Sequence, residues 1–314
     1  MKRTLSFLLL AAVLLSCWGN GLAESNPLVY RVTDDEGHQI YLLGTIHVGM
    51  EDTFPLGPAA EEAYEASDVL AVEMDVDLNL WNFLDIFKMS AALVYTNGDS
   101  AENHLSPETY ALGVEMLGYP EFILKRMKPV AWYSLAENYA MDKVNLSAEW
   151  GVDDYLIKRA KKDKKTIVEL EGMDSQLSVM DSFPDLVMDY EIQILLTCPE
   201  EASSGTAALY EAWKAGDAEA MVALTNEESE APENALDDLD ESQLEVYASL
   251  MEAYAEFNDL LIDSRNDGFL QQAVDYLQSG QKALIAIGAL HIVGETGLAN
   301  QLAQAGYHVE IVGR

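Results

Sequence analysis

Short strand segments stand at both ends of this chain, most of them apolar, with helical sequence between. Gln39 to Ile46, Asp68 to Met74 (DVLAVEM), Lys165 to Leu170 (KTIVEL) and Ala283 to Ile287 are the clearest of them. Strands of this buried type need helices laid over the sheet that holds them. Around them the pattern is regular. Leu28 to Val32 and Gln39 to Ile46 flank the turn Asp34-Asp35-Glu36-Gly37 and read as a hairpin. A helix is expected over Gly57 to Ala66, and residues 79–150 read as mostly helical. Within them Leu80, Phe83, Leu84 and Phe87 fall on one helix face, which predicts core positions. Further helices are expected over Asp153 to Lys161, Ala207 to Ala215, Ala218 to Leu224 and Thr296 to Ala305, with a last strand over His308 to Val312. Leu244 to Leu277 reads as helical, with Asp267-Gly268 as a break, and the acidic stretch Glu227 to Glu241, which holds Pro232, reads as an exposed loop. Strand and helix alternating at both ends predict an α/β fold: a mixed central β-sheet flanked by helices, with a largely helical middle region.

The first 23 residues stand apart from that pattern. Lys2 and Arg3 precede an apolar run from Leu5 to Leu15, too short for an ordinary membrane span and the right size for the core of a signal peptide. Two exits are open. Leu14-Leu15-Ser16-Cys17 reads as a lipobox, which would make Cys17 the lipidated first residue of a membrane-anchored lipoprotein, and Gly21-Leu22-Ala23 suits ordinary signal peptidase and a secreted protein. The domain proper is then expected over residues 27–314, outside the cytoplasmic membrane. Cys198 is the one cysteine besides Cys17, so neither a disulfide framework nor a cysteine metal cage is available. The 54 acidic residues against 18 basic ones give a net charge of −36, a surface that repels phosphate backbones and excludes nucleic acid as a partner.

Two Gly-x-x-His motifs end apolar strands: Gly44-Thr45-Ile46-His47 and Gly288-Ala289-Leu290-His291. Glycine lets the backbone bend or pack closely as a strand ends, and the turn that follows presents an imidazole over the rim of the sheet. In open α/β sheets ligands gather at the carboxyl ends of strands. Acids occupy matching places: Glu73 closes the DVLAVEM strand, and Glu169 and Glu171 close KTIVELEG. If these strands run parallel in one sheet, two His and two Glu converge, a nitrogen and oxygen donor set that suits a divalent metal. Glu169 and Glu171 share one face of their strand, so strand geometry does not choose between them. Arg265, just ahead of the second motif, is a candidate to pair with a carboxylate or stabilise an oxyanion. His38, His104 and His308 lack a comparable setting and read as structural or exposed. The segments YLLGTIHVG and IAIGALHIVG match each other well enough to suggest a diverged duplication.

These residues resemble the TraB/GumN family, which includes the pheromone-shutdown proteins and the Tiki proteases. The resemblance runs from about Pro27 to Val312. It rests on LVYRVTDDEGHQIYLLGTIHVG, on Pro55-Leu56 and the helix leading to Glu73, and on Gly151-Val152-Asp153 with Val168-Glu169-Leu170-Glu171. Trp213 with Gly216-Asp217, the pair Arg265-Asn266 and the closing block from Gly288 to Tyr307 complete it. One departure is Leu290, where the family often has glycine; the Gly-x-x-His spacing is kept. The resemblance aligns the family's acid with Glu171 and raises Arg265 above a surface ion pair. It implies a divalent-metal-dependent hydrolase acting on a peptide or protein, with manganese or cobalt as the metal; His and Glu donors also suit zinc. His47, Glu73 and His291 are the expected metal ligands, Glu171 the expected general base or further ligand, and Arg265 the oxyanion-stabilising or carboxylate-orienting group. The rival is a protein that binds and sequesters a peptide signal without cutting it.

Overall fold

The computed structural model describes residues 25–75, 83–172, 175, 177, 184–227, 248–249, 251–253 and 264–313. The expected signal segment and nearly all of the acidic loop lie outside the described residues. Strands β1 (Val29–Thr33) and β2 (Gln39–Thr45) form the predicted antiparallel hairpin. Helix α1 (Pro58–Ala66) starts at Gly57 with Pro58 in its first turn, where a missing N–H costs nothing, and leads into β3 (Val69–Val72). The helical middle follows: α2 (Phe83–Leu93), α3 (Pro107–Met116), α4 (Glu121–Leu124) and α5 (Pro129–Lys143). Then come α6 (Val152–Asp163), β4 (Thr166–Glu169), α7 (Asp185–Thr197), α8 (Pro199–Ala202), α9 (Ser204–Ala215) and α10 (Ala218–Glu227). The chain closes with α11 (Ser264–Ser279), β5 (Ala283–Gly288), α12 (Leu298–Gln304) and β6 (His308–Ile311).

The six strands form one mixed sheet in the order β4-β3-β5-β2-β1-β6. β4, β3, β5 and β2 run parallel; β1 runs against β2, and β6 against β1. The two strands bearing the Gly-x-x-His motifs are neighbours, with Gly44 opposite Ile287 and Thr45 opposite Gly288. The carboxyl ends of β2, β5, β3 and β4 therefore share one rim. Alternation sorts the side chains of the apolar strands onto two faces. Tyr41, Leu43, Leu70, Val72, Leu284 and Ala286 meet α1, α6 and α9, whereas Ile40, Leu42, Val69, Ala71, Ile285 and Ile287 meet α11 and α12. A third cluster, centred on Trp132, Val187, Met188 and Ile192, joins α5 to α7. Helix α5 spans two clusters: Ala136 and Ala140 belong to the helical layer, and Met141 to the sheet core.

Two expectations need correcting. Asp267-Gly268 does not break a helix, because α11 runs through both residues. Asp267 lies in the helix's first turn, where a carboxylate is favoured by the helix dipole, and one glycine costs only about 1 kcal/mol against alanine. Phe87, expected in the core, is 57% exposed. At the C-terminal end of helix α2 Ala92 is buried and Val94 bridges to Met127, and among the described residues the interior of the helical layer is formed chiefly by α5 and α7.

Candidate functional site

Each parallel strand of the rim delivers one of the residues expected there. Beyond β2 the chain passes through Thr45 and Ile46 to His47. Gly44 is needed for close approach: a Cβ there would stand 2.9 Å from Ala289 Cβ and 3.0 Å from Ala289 Cα, the first residue after the second motif's glycine. The buried Trp213 indole donates to the Gly44 carbonyl at 2.7 Å, which fixes the end of β2 from α9. The start of α6 is drawn in as well. Val152 N–H donates to the Ile46 carbonyl at 2.9 Å, and a Cβ on Gly151 would lie 2.6 Å from the His47 carbonyl oxygen. Asp153, in the first turn of α6, thereby reaches both side chains: Thr45 Oγ1 donates to its Oδ1 at 2.6 Å, and His47 Nδ1 lies 2.8 Å from its Oδ2.

His47 is 70% exposed at its side chain, yet it is surrounded by charge. Asp153 dominates, through its charge and then its hydrogen bond, and raises the His47 pKa to about 9; Glu73 reinforces this and Arg265 opposes it. The reciprocal effect of His47 helps hold the Asp153 carboxyl below its usual range, against the opposing pull of burial. From the helical layer, Glu137 on α5 senses the same imidazole. Burial pushes its pKa up, while the charge of His47 and a hydrogen bond from Tyr133, one turn earlier, pull it down.

His291 is buried, at the end of a single 3-10 turn after β5. Its Nδ1 lies 2.8 Å from Asn266 Oδ1. Asn266 Nδ2 donates to the Thr296 carbonyl at 3.0 Å, so the amide presents its oxygen to the ring and His291 Nδ1 is the donor. A neutral His291 then carries its lone pair on Nε2. Phe269 meets the ring edge to face at 5.1 Å.

Glu73 and Glu171 are brought side by side because β3 and β4 stay paired beyond their ends: Leu170 N–H donates to the Val72 carbonyl and Glu171 N–H to that of Glu73. Arg265, in the first turn of α11, holds both acids. Its Nε and Nη2 bond the two oxygens of Glu171 at 2.7 and 2.6 Å, and Nη2 also reaches Glu73 Oε2 at 2.5 Å. All three side chains are nearly buried, at 12, 12 and 10% exposure for Arg265, Glu73 and Glu171. The other oxygen of Glu73 accepts from Gly288 N–H at 2.8 Å, tying β3 to the second motif. Glu169 is separated from this group. It accepts from Asp75 N–H at 2.8 Å and holds the turn after β3, so of the two acids at the end of β4 only Glu171 joins Glu73 and Arg265.

All five expected residues thus come to one rim, and His47, Glu73 and Arg265 lie near enough for their charges to act on one another. Asp153, Asn266 and Thr45, which orient the two imidazoles, and Glu137 carried no functional signal of their own in the sequence. Asp153 and Asn266 had appeared only inside longer matching blocks. The remaining histidines sit elsewhere: His38 Nδ1 lies 2.8 Å from Asp34 within the hairpin turn, His308 is 72% exposed at its side chain, and His104 lies in the helical layer.

The family model described as "TraB/PrgY/gumN family" matches residues 28–311, which takes in both histidine motifs, both acids and Arg265. The chain belongs to the TraB/PrgY/gumN family. Two relatives agree with this at modest identity, both named "Uncharacterized protein YbaP". One, from Escherichia coli (strain K12), is 27% identical over 156 residues, 49% of this chain and 56% of the relative. The other, from Shigella flexneri, is 28% identical over 147 residues, 46% of this chain and 53% of the relative. This TraB/PrgY/gumN member therefore spans little more than half the length of the curated relatives it matches. No solved structure matches it.

The donor chemistry of the rim suits a divalent cation in one respect and is otherwise engaged in another. Both imidazoles are backed through Nδ1, one by a carboxylate and one by a side-chain amide, which is how metal-binding histidines are commonly oriented. The carboxylates are held by Arg265, and among the described residues no three His, Cys, Asp or Glu side chains already converge as a cage.

Proposed function

We propose that this protein is a divalent-metal-dependent hydrolase acting on a peptide or protein substrate outside the cytoplasmic membrane, where it is secreted or held by a lipid anchor at Cys17. The observation that carries the reading is the backing of the two motif histidines at adjacent strand ends, His47 by Asp153 and His291 by Asn266. Rings aimed in this way keep Nε2 directed at the shared rim, the orientation a cation needs from imidazole donors.

In this reading His47, His291 and Glu73 would hold the cation. Manganese, cobalt and zinc are all compatible with such donors. Such a cation would supply Lewis-acid chemistry, polarising a scissile carbonyl and acidifying water. Asp153 and Asn266 keep the two rings aimed. Glu171 takes the proton of the attacking water or serves as a further ligand. Arg265 orients the two carboxylates and would stabilise negative charge developing on the carbonyl oxygen. Because Asp153 raises the His47 pKa to about 9, binding of a cation at His47 would compete with a proton and would be favoured by higher pH.

The purified protein, equilibrated with manganese, cobalt or zinc at pH 8 and then freed of unbound ion, is expected to retain close to one metal per chain by elemental analysis. A folded His47→Ala/His291→Ala variant is expected to retain none, and mass spectrometry of incubated peptides is expected to show new fragments only with the loaded wild type. Retention no higher than the double variant's background would sink the hydrolase reading and leave peptide sequestration in its place.

A further inference from the structure

Away from the rim, the helical layer contains a histidine with a carboxylate at each ring nitrogen. His104 Nδ1 lies 2.6 Å from Asp185 Oδ2, and His104 Nε2 lies 3.0 Å from Asp99 Oδ2. A neutral imidazole has one N–H and one lone pair, so it can donate to one of these acids but must turn a lone pair toward the other. Only the imidazolium satisfies both contacts. The two acids belong to different parts of the layer. Asp99 lies in the turn before a short 3-10 helix (Ala101–Asn103), and Asp185 is the first residue of α7.

The surroundings favour the charged ring. Tyr95 stacks on it with centroids 5.1 Å apart and planes 20° from parallel. Asp99 is fixed independently, its Oδ1 accepting from Asn103 Nδ2 at 2.7 Å and from Ser100 N–H at 2.8 Å. One turn along α7, Asp189 accepts from Ser106 N–H at 2.7 Å, a second tie that involves no histidine. On the neighbouring 3-10 turn Glu102 is paired with Lys125. Among the described residues, the charged groups that these contacts bring around His104 are acids, and Lys125 is paired with Glu102. The bonds to Asp185 and then Asp99 raise the pKa of His104 above its usual 6.5. That of Asp99 is lowered to about 2 by Asn103 and then His104.

We propose that His104 is a proton-operated latch in the helical layer: protonated, it clamps the Asp99 turn to the start of α7, and on losing its proton it lets go of one of them. The sign follows from linkage. A histidine whose pKa is raised on folding stabilises the fold fully below the unfolded value near 6.5, and this contribution is lost as pH rises through the folded value. The latch closes in mild acid and opens in alkali. α7 packs in one apolar cluster with α5, the helix that carries Glu137, whose carboxyl is influenced by the charge of His47.

The test is amide hydrogen exchange on the full-length protein from pH 5.5 to 9, expressed as protection factors so that the intrinsic pH dependence divides out. The His104 ring is followed by NMR over the same range. In the wild type, protection of the first two turns of α7 should fall at least ten-fold as His104 deprotonates, and in His104→Gln it should be low and independent of pH. If His104→Gln does not fold, Asp185→Asn serves: it keeps the Asp99 contact, so the His104 titration should move down toward 6.5. Wild-type protection that stays flat through the His104 titration would overturn the latch. So would a pH dependence that survives unchanged in either variant.

Discussion

Asp153 illustrates how one side chain can decide the state of another. Its two oxygens are shared between Thr45 and His47, and its charge holds the imidazole protonated well above neutrality. Two linkage contributions follow with opposite signs. That of His47 is complete below the usual histidine value near 6.5 and disappears as pH rises through about 9. That of Asp153 is complete above the usual aspartate value and is lost as pH falls through its lowered folded value. The pair therefore stabilises the fold best in mild acid, and only modestly, since the His47 side chain is 70% exposed. Replacing Asp153 with Asn removes the charge and keeps the shape. The His47 Cε1 proton resonance should then titrate near 6.5 instead of about 9, and a titration unchanged in Asp153→Asn would show that another group sets it. The sequence pointed to His47 and His291 because glycine and histidine recur at a fixed spacing after apolar strands. It could not point to Asp153 or Asn266. An aspartate at a helix start and an asparagine in a helix's first turn are ordinary, and what distinguishes these two is a partner more than 100 residues away for Asp153 and 25 for Asn266.

The strand ends are where local sequence and long-range packing agree. Gly44 could be read as a residue permitting close approach, and the surface it approaches is the backbone of the second motif. In Gly44→Ala the new methyl would sit 2.9 Å from Ala289 Cβ and 3.0 Å from its Cα, so β2 and the turn after β5 must separate. A loss of about 1–3 kcal/mol is expected for such overpacking, read as a lower midpoint in urea unfolding. Adding Ala289→Gly should recover part of it, because that change relieves the side-chain contact and leaves the backbone one. The helices expected over Gly57 to Ala66 and Asp153 to Lys161 form as α1 and α6, whereas a rule of thumb standing alone misleads in α11. The Asp-Gly pair in α11 looked like a stop, but a first-turn aspartate and one tolerated glycine suit a helix whose Phe269, Ala273 and Leu277 are buried against the sheet. Phe87 reads as core because spacing shows which residues share a helix face and not how deeply each is buried; the side chains of Leu80, Phe83 and Leu84, on the same face, lie outside the described residues.

The class of fold followed from strands that alternate with helices, and that much was open to inspection in the sequence. The strand order was not, since nothing local says that the fifth strand enters between the second and the third. β5 pairs with β2 on one side and β3 on the other, and every one of its residues up to Ile287 is buried. A chain ending at Lys282 would leave β2 and β3 as facing open edges lined with apolar side chains, the kind of edge that pairs with other chains. Such a truncation is expected to be aggregated in sedimentation and to lack a cooperative thermal transition, whereas a monomeric, cooperatively melting fragment would show that the sheet does not depend on its centre. The same strand order has a consequence in time. Translation delivers His47 and Glu73 some 200 residues before β5, so until β5 emerges a nascent chain carries the first motif with neither His291 nor the Gly288 N–H that fixes Glu73. Such a chain holds half a rim, and the arrival of β5 completes it.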